Sequence, residues 1–276
     1  MPETTRHTFS AGPDAAGQRL DRFLCRRAAI SLRAARRLIN LDFVRVDNIP
    51  RPAAHKLRAG QSVTLLTDTP LDSSDLSVTG HPHVVSATAD YAALFKPPGL
   101  HTVSLAGATG PSLEAHLPQL FPQRRAILIN RLDRDTSGLV LAAFDTDSAR
   151  RFRELEDQSL VDKRYLALVM GVMPAPMTLK WTLDTADRAK VKTLSTETSD
   201  VLRWTLVWPL AYCSNATFVT VRIAKGARHQ IRAHLAHAGF PIAGDALYGV
   251  DDGKGLKLHH WRVEFPGFCA EVVPGW

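Results

Sequence analysis

Hydrophobic and polar residues in the N-terminal quarter of the chain follow a helical pattern first and a strand pattern afterwards. Between residues 20 and 39 the apolar side chains recur every three or four positions, which predicts two short helices. Residues 42–46 alternate as a strand does, and Asp47-Asn48 is a turn sequence. A further apolar stretch covers residues 63–66. This order predicts a small domain in which two helices precede short strands.

The chain of 276 residues is long enough for about two domains. Residues 67–83 are rich in Thr, Ser, Asp, Pro and Gly and poor in apolar side chains, which is typical of a linker. We therefore expect a flexible tail over 1–16, a small domain over 17–67, a linker over 68–82 and a larger domain over 83–276.

Charge is distributed unevenly, although the net charge is only +7. Residues 1–70 carry 12 basic and 6 acidic side chains, whereas residues 71–276 carry 22 basic and 21 acidic ones. In the second predicted helix, Arg33, Arg36 and Arg37 share the face opposite the apolar stripe. Guanidinium groups arranged in this way can bind successive phosphates. The N-terminal segment therefore favours a nucleic acid over a membrane as partner, the alternative being a solvated basic face that aids solubility.

Composition excludes several classes of protein. Hydrophobic residues make up 45% and charged residues 22%, which argues against collagen, coiled coil and wholesale disorder. The three cysteines are odd in number and widely spaced, which argues against a disulfide framework or a cysteine zinc site. The N-terminus lacks the apolar core of a signal peptide, and no run of 18 apolar residues occurs. We expect a cytoplasmic protein without a membrane span.

A polar loop between two apolar segments is the strongest candidate for chemistry. Residues 127–142 contain Arg131, Asp133 and Arg134 between stretches that predict buried strands. The two flanking arginines favour the ionised form of Asp133, and an ionised aspartate can act as nucleophile or base. The alternative is an ordinary loop whose aspartates bond to their own backbone. The nearby Asp-Thr-Ser-Gly run is one residue longer than the aspartic protease motif and occurs once, which argues against that class.

Two later segments add further candidates. Residues 163–171 predict a strand that places Tyr165 on one face, where it can stack on a nucleobase or belong to the core. Residues 229–238 predict a helix, and Arg228 and Arg232, four positions apart, share one face. The histidines of this segment lack the spacing of a zinc site, so we expect no metal.

Residues 17–66 resemble the small αL RNA-binding domain that we call S-four-like. The resemblance rests on the Arg-Leu-Asp opening, the arginine-rich second helix, the strand that ends at a turn, and the closing Ala-Gly-x-x-Val. The usual Val-Asn-Gly of the turn is replaced here by Val46-Asp47-Asn48.

The second domain resembles the RluA-type family of RNA pseudouridine synthases. Five blocks occur in that family's order between residues 85 and 262: Lys96–Gly99, Arg131–Leu139, Lys163–Gly171, Gly226–His234 and Gly239–Gly249. The combination of Arg-Leu-Asp-x-x-Thr-Ser-Gly with a later His-Gln-Ile-Arg is highly specific. An S-four-like domain ahead of the catalytic domain is a common arrangement there.

This resemblance implies the fold, the reaction and the central residues. The expected class is α+β, with the αL domain followed by a mixed, largely antiparallel sheet with flanking helices. The family breaks the bond between ribose and N1 of uracil in RNA and reattaches the base through C5, without a cofactor. Its catalytic aspartate corresponds to Asp133, its paired arginine to Arg232, and its base-stacking tyrosine to Tyr165. The target uridine must be flipped out of its stack.

The same blocks and the arginine-rich helix supply the candidates for substrate binding, which are Arg131, Arg134, Thr136, Arg228, His229, Gln230, Arg33, Arg36 and Arg37. One departure from the family is Asn130, which stands where a histidine usually precedes Arg-Leu-Asp.

We expect RNA as the partner of a monomeric enzyme. The appended module favours large-subunit ribosomal RNA by analogy, and transfer RNA is the alternative substrate. Two other functions stay open at this point. One is an RNA-binding protein that has lost activity, and the other is a glycosidic hydrolase, which would need Asp135 as a second carboxylate.

Overall fold

The computed structural model describes residues 6–27, 35–36, 38–39, 43–66, 80–104, 111–187, 189–213 and 215–276. Arg33, Arg37 and most of the predicted linker over 68–82 lie outside these residues. The chain divides into two compact units, Met1–Ser77 and Val78–Trp276.

The first unit combines helices with a small antiparallel sheet. Helix α1 spans Leu20–Arg27, and residues 35, 36, 38 and 39 are helical. The sheet has the strand order β1 (Arg6–Ser10), β4 (Ser62–Leu66), β2 (Val44–Val46), β3 (Ile49–Pro50). Apolar side chains of both helical segments and of the strands form one core: Leu20, Phe23, Leu24, Ala35, Leu38, Ile39, Val44, Val46, Val63 and Leu65. The helical and alternating spacings read from the sequence are therefore confirmed.

The prediction of a flexible tail was wrong for residues 6–16. Strand β1 pairs with β4 along its whole length, and Pro13–Ala15 form a 3-10 turn. Ala11 and Ala15 are buried in the core of this unit. Because the segment is polar overall and is ordered by backbone pairing with a distant strand, its composition concealed the strand.

The turn between β2 and β3 explains why Asp-Asn can replace the usual Asn-Gly. Asp47 and Asn48 have φ of 51° and 64°, the left-handed conformation required by the tight hairpin turn. The carboxylate of Asp47 accepts hydrogen bonds from the Ser62 backbone N–H and the Gln61 amide, each at 2.9 Å. These bonds hold the turn against β4.

Among the described residues of the second unit, ten strands form one mixed sheet. Its main path runs β10 (Met177–Leu179), β13 (Thr205–Cys213), β14 (Ala216–Ile223), β9 (Asp162–Met170), β15 (Leu258–Phe265), β8 (Ser137–Ala143), β6 (Tyr91–Lys96), β5 (His83–Ala87). Strand β7 (Ile127–Leu128) pairs with β8, and β16 (Phe268–Glu271) pairs with β15. Of the strand pairs among the described residues of this sheet, only β8–β15 is parallel. The expected α+β class with a mixed, largely antiparallel sheet is confirmed.

Helices cover both faces of this sheet. Helices α2 (Leu113–Leu120) and α4 (Gln230–His237) pack against one face, and α3 (Thr146–Asp157) packs against the other. Strand β8 is buried along its whole length, and its successive side chains enter the two cores alternately. A hairpin of β11 (Trp181–Asp184) and β12 (Lys192–Glu197) lies outside the large sheet. No helix among the described residues is long and apolar enough to cross a membrane.

Gly138 allows the two parallel strands to approach each other closely. Its φ is +116°, and a Cβ atom there would lie 2.2 Å from the carbonyl oxygen of His260 and 2.6 Å from its nitrogen. No side chain fits such a contact, so the glycine of the Thr-Ser-Gly sequence fixes the start of β8 against β15. This contact anchors the end of the loop that carries Asp133.

Candidate active site

Asp133 lies on the loop between β7 and β8 and faces two side chains of the α4 region. The Nη1 atom of Arg232 is 3.4 Å from its Oδ2, and Nε2 of His229 is 3.9 Å from its Oδ1. Its side chain is 23% exposed, so a substrate can reach it. The structure therefore brings Asp133 together with two predicted site residues that lie almost 100 positions later in the chain.

Arg232 is held in place by a second carboxylate, Asp245. The guanidinium donates through Nε and Nη2 to the two carboxylate oxygens, each at 2.8 Å. Both side chains are buried, Asp245 completely. Burial disfavours the charged carboxyl, but the hydrogen bonds and charge of Arg232 outweigh it and keep the pKa of Asp245 below its usual value. The bidentate pair fixes the guanidinium plane and leaves Nη1 for Asp133.

Tyr165 lies on β9, opposite His260 of β15 in the register of the sheet. The two rings stack with centroids 4.5 Å apart and an interplanar angle of 16°. Burial raises the pKa of the Tyr165 hydroxyl, and the negative charge of Asp133 raises it further. The phenol therefore keeps its proton and lies within electrostatic reach of Asp133.

His260 is a neutral imidazole in this position, since burial lowers its pKa to about 3. Its Nδ1 atom lies 2.6 Å from the carbonyl oxygen of Leu139. Because a carbonyl only accepts, Nδ1 carries the hydrogen. This bond fixes the ring plane on which Tyr165 is stacked.

Lys96 supports the loop that carries Asp133. Its fully buried ammonium group donates to the carbonyl oxygens of Pro97 (2.9 Å), Leu100 (2.8 Å) and Arg134 (2.9 Å). Three donors thus meet three acceptors, and one acceptor belongs to the residue after Asp133. Burial lowers the pKa of Lys96 to about 7, while Asp135 and Asp133 act in the opposite direction.

Three further hydrogen bonds connect this loop to residues 99–102. The Gly99 N–H donates to the Arg134 carbonyl at 2.9 Å. The hydroxyl of Thr102 donates to the Leu132 carbonyl at 2.7 Å and accepts from its N–H at 3.1 Å. The residues on either side of Asp133 are therefore both fixed by the segment 96–102.

The buried charge of Lys96 should give this protein a stability that rises with pH. Between pH 7 and 10.5 the folded protein releases the Lys96 proton while the unfolded chain keeps it, so the unfolded state binds more protons. The free energy of unfolding of the wild type, relative to Lys96→Met, should therefore increase by up to about 1.4 kcal/mol per pH unit above pH 7. Urea unfolding of both proteins between pH 6 and 9 measures this difference. A difference that stays constant or falls with pH contradicts the expectation.

The other predicted residues of the loop differ in accessibility. The side chains of Arg131 and Arg134 are exposed on either side of Asp133, and Nε of Arg134 donates to the Gly99 carbonyl at 3.3 Å. Thr136 is buried, and its backbone N–H donates to the Asp133 carbonyl at 3.2 Å. The arginines can meet phosphates, whereas Thr136 shapes the turn.

Gln230 has a structural place rather than the predicted contact with substrate. It is buried, and its amide oxygen accepts from the Ala227 N–H at 2.9 Å. Its amide nitrogen donates to the Arg203 carbonyl at 2.8 Å and to the Thr205 hydroxyl at 3.0 Å. Since these bonds use both ends of the amide, we correct the expectation. The amide of Gln230 satisfies hydrogen-bonding groups in the protein interior.

Arg228 binds the hairpin beside the site. Its guanidinium donates to the carbonyl of Thr185 at 3.1 Å and also to that of Asp187. Both acceptors lie in the turn between β11 and β12. Arg228 is thus a link between α4 and the hairpin.

Tyr248 and Asp245 are residues of the site that were not among the candidates predicted from the sequence. The Tyr248 hydroxyl accepts from the Val191 N–H at 2.9 Å and lies 3.1 Å from Nδ1 of His229. The Arg232 guanidinium lies over its ring, 5.3 Å from the centroid. The block Gly-Asp-x-x-Tyr-Gly at 244–249 was the available indication of both residues.

The histidines of α4 are used for packing as well as for the site. His234 is buried, with Nδ1 2.9 Å from the Thr205 hydroxyl and Nε2 2.8 Å from the Trp181 carbonyl. His237 lies edge-on against the Trp181 ring at 4.6 Å. Within the part of the chain that the structure describes, no three His, Cys, Asp or Glu side chains are grouped as metal ligands.

Comparison with known proteins identifies the family. Residues 90–237 match the sequence profile described as RNA pseudouridylate synthase. The chain belongs to this family. The family assignment confirms the expected class of enzyme, an isomerase of uridine in RNA. The N-terminal unit precedes the matched segment, so its S-four-like character stays a prediction.

Relatives of this pseudouridine synthase are similar over most of their length. The chain is 32% identical to ribosomal large subunit pseudouridine synthase C of Haemophilus ducreyi, over 91% of this chain and 81% of that protein. It is 31% identical to the Escherichia coli protein of the same name, over 94% and 89% respectively.

Solved structures share the fold. Human RNA pseudouridylate synthase domain containing 1 has a TM-score of 0.57 at 21% identity, with 71% of this chain and 83% of that chain covered. The human domain containing 4 protein has a TM-score of 0.56 at 20% identity, with 69% and 88% covered.

Proposed function

We propose that this pseudouridine synthase isomerises specific uridines of large-subunit ribosomal RNA, with Asp133 as the catalytic carboxylate. The observation that supports the chemistry is the ordered pair of Asp133 and Arg232, with Arg232 aimed by the buried Asp245. The substrate is supported by the names of the bacterial relatives, which this chain matches over 81% to 89% of their length.

The arrangement leaves one oxygen of Asp133 for the sugar. Oδ2 faces the Arg232 guanidinium, Oδ1 lies 3.9 Å from Nε2 of His229, and the side chain as a whole is 23% exposed. In the reaction the C1′–N1 bond breaks and a C1′–C5 bond forms, while C5 loses a proton and N1 gains one. Asp133 can serve by attack at C1′ or by removing a proton from the sugar, and Arg232 stabilises its negative charge in either route. Tyr165 provides the ring on which the flipped base stacks while it turns.

RNA affinity is proposed to come from exposed arginines in both units. Arg131 and Arg134 lie beside Asp133, where they can bind phosphates next to the target nucleotide. In the first unit, Arg36 donates to the buried Asp21 at 2.9 Å while remaining 51% exposed. Asp21 also binds Arg19, and these bonds hold the pKa of Asp21 well below its usual range. The Arg-Leu-Asp opening thus orients arginines on the surface of the proposed S-four-like domain.

We also propose that the enzyme works in the cytoplasm and as a monomer. All residues of the site, from Asp133 to Asp245, come from one chain, so a second copy is not needed to complete it.

Tritium release and mapping test this function together. Ribosomal RNA from a strain lacking the gene is labelled with tritium at uracil C5 and incubated with the purified protein. Release of tritium, and a new pseudouridine at a defined position of the large-subunit RNA, is the expected result. Release from transfer RNA alone would reassign the substrate, and no release from any cellular RNA would refute the isomerase.

The arginine-rich helix gives a prediction for binding. Replacing Arg33, Arg36 and Arg37 with alanine should weaken RNA binding by roughly tenfold or more and reduce the slope of log affinity against log salt by about 2 to 3. The reason is the loss of phosphate contacts and of the counterions that they release. Filter binding at several salt concentrations measures both values. Equal loss of affinity at every salt concentration would assign these arginines to folding instead, which thermal unfolding checks.

A further inference from the structure

His229 occupies an unusual backbone position at the edge of the site. It is the N-cap residue of α4, with φ of 54° and ψ of 14°, and its side chain does not cap the helix. Left-handed backbone at a non-glycine residue is strained and is found preferentially at functional sites. The side chain is 14% exposed and points its Nε2 atom toward Asp133. The strained backbone thus places an imidazole where the helix itself does not require one.

Tyr248 holds the other side of this imidazole. Nδ1 of His229 lies 3.1 Å from the Tyr248 hydroxyl, and the two rings are perpendicular. The hydroxyl in turn accepts from the Val191 N–H at 2.9 Å. With its backbone and Nδ1 both fixed, the Nε2 atom of His229 has a defined position relative to Asp133.

The hydrogens of this chain of bonds can be assigned. Burial lowers the pKa of His229, so the imidazole is neutral and carries one N–H. If the Tyr248 hydroxyl donates to Nδ1, the hydrogen of His229 is on Nε2 and faces the carboxylate of Asp133. The hydroxyl also lies 3.1 Å from the Val191 carbonyl, and if it donates there, Nδ1 carries the hydrogen and the lone pair of Nε2 faces the carboxylate. The negative charge of Asp133 disfavours that arrangement and favours the hydrogen on Nε2.

The distance between Nε2 and Oδ1 then defines the group that fits between them. At 3.9 Å it is too long for a direct hydrogen bond. One oxygen atom placed about 2.8 Å from both atoms fits, at an angle of roughly 90°. That oxygen must accept from the N–H and donate to the carboxylate, which a hydroxyl group does and a phosphate or carbonyl does not.

We propose that His229 and Asp133 together bind the 2′-hydroxyl of the target uridine. The inference rests on the proposed function, in which Asp133 acts at the sugar. The hydroxyl on the carbon next to C1′ is the one that can reach the carboxylate while C1′ is attacked or a C2′ proton is removed. Holding it aligns the reacting carbon with Asp133 and selects ribose over deoxyribose at the position of chemistry.

A double-mutant cycle between protein and RNA tests the contact. Synthetic stem-loops carry the mapped target as 5-tritiated uridine or 5-tritiated 2′-deoxyuridine, and single-turnover tritium release is measured. We expect the wild type to act roughly 10- to 100-fold more slowly on the deoxy substrate, as for a hydrogen bond to a charged group. His229→Leu should be slower on the ribose substrate by a similar factor, with no further loss on the deoxy substrate.

The proposal would be overturned if the protein variant and the deoxy substrate lower the rate independently of each other. If the factors for His229→Leu and for the deoxy substitution multiply, the two groups do not touch. If the wild type is indifferent to the 2′-hydroxyl, or if His229→Leu is as fast as the wild type, a water molecule rather than substrate fits between the two residues.

Matched variants separate contact from folding. His237→Leu replaces a histidine of the same helix that packs on Trp181. This variant should retain the full deoxy penalty, which is the ratio of the rate on the ribose substrate to the rate on the deoxyribose substrate. His229→Gln offers an amide N–H and should recover part of the discrimination. If thermal unfolding shows that His229→Leu does not fold, Tyr248→Phe provides the test, because it removes the bond that orients the imidazole and should reduce the deoxy penalty. Failure of the proposed function can be distinguished from failure of this inference, because full activity of Asp133→Asn on the ribose substrate would show that Asp133 is not the catalytic carboxylate.

Discussion

Replacing Asp133 with asparagine should lower the rate of isomerisation by about a thousandfold or more, with little change in RNA affinity or unfolding temperature. The amide has the shape of the carboxylate, so the loop and its contacts are retained. It is neutral, so it cannot attack the sugar or take a proton from it, and it no longer balances the charge of Arg232. Tritium release, filter binding and thermal unfolding of the same preparation measure the three quantities.

Asp135 provides the matched control, because it is an exposed carboxylate two residues away in the same loop. Asp135→Asn should keep nearly full activity. If Asp133→Asn is fully active, Asp133 is not the catalytic carboxylate. If both variants lose activity equally, two carboxylates take part in the reaction.

Local patterns in the sequence were sufficient for the elements but not for their long-range pairing. The apolar runs on either side of Asp133 predicted buried strands, and β8 is buried throughout. Strand β1 was missed because its place depends on pairing with β4, which lies more than 50 residues away in the chain. Alternation within a segment carries no information about such a partner.

In the site, too, local patterns were informative but long-range contacts could not be predicted from them. Asp133 and Arg232 could be connected only through the family resemblance, since no local pattern relates residues so far apart. Polarity also failed to distinguish function from structure: Gln230 is polar because buried carbonyls need a donor, and Lys96 is basic because three carbonyls converge below the loop. Both roles depend on contacts that form only after folding.

Replacing Asp245 with alanine should impair folding and catalysis together. The change leaves the buried guanidinium of Arg232, 8% exposed, without its bidentate partner. Removing one partner of a buried ion pair costs about 3–5 kcal/mol, so the unfolding temperature should fall by several degrees or more. Arg232 also loses the bonds that aim it at Asp133, so the rate should fall at least about a hundredfold even in protein that remains folded.

The pH dependence of the free energy of unfolding should identify the Asp245 carboxylate as the group whose loss destabilises Asp245→Ala. Burial opposes its ionisation, but Arg232 keeps its pKa below that of the unfolded chain. Its contribution is therefore complete above about pH 4 and is lost as the pH falls through the lower folded pKa. The difference in free energy of unfolding between the wild type and Asp245→Ala should shrink on acidification, whereas exposed Asp252→Asn should match the wild type throughout. A loss of activity in Asp245→Ala without a loss of stability would instead place this carboxylate in direct contact with the RNA. Asp133→Asn and Asp245→Ala thus separate the group that performs the reaction from the group that aims its partner, because only the second should change the stability of the fold.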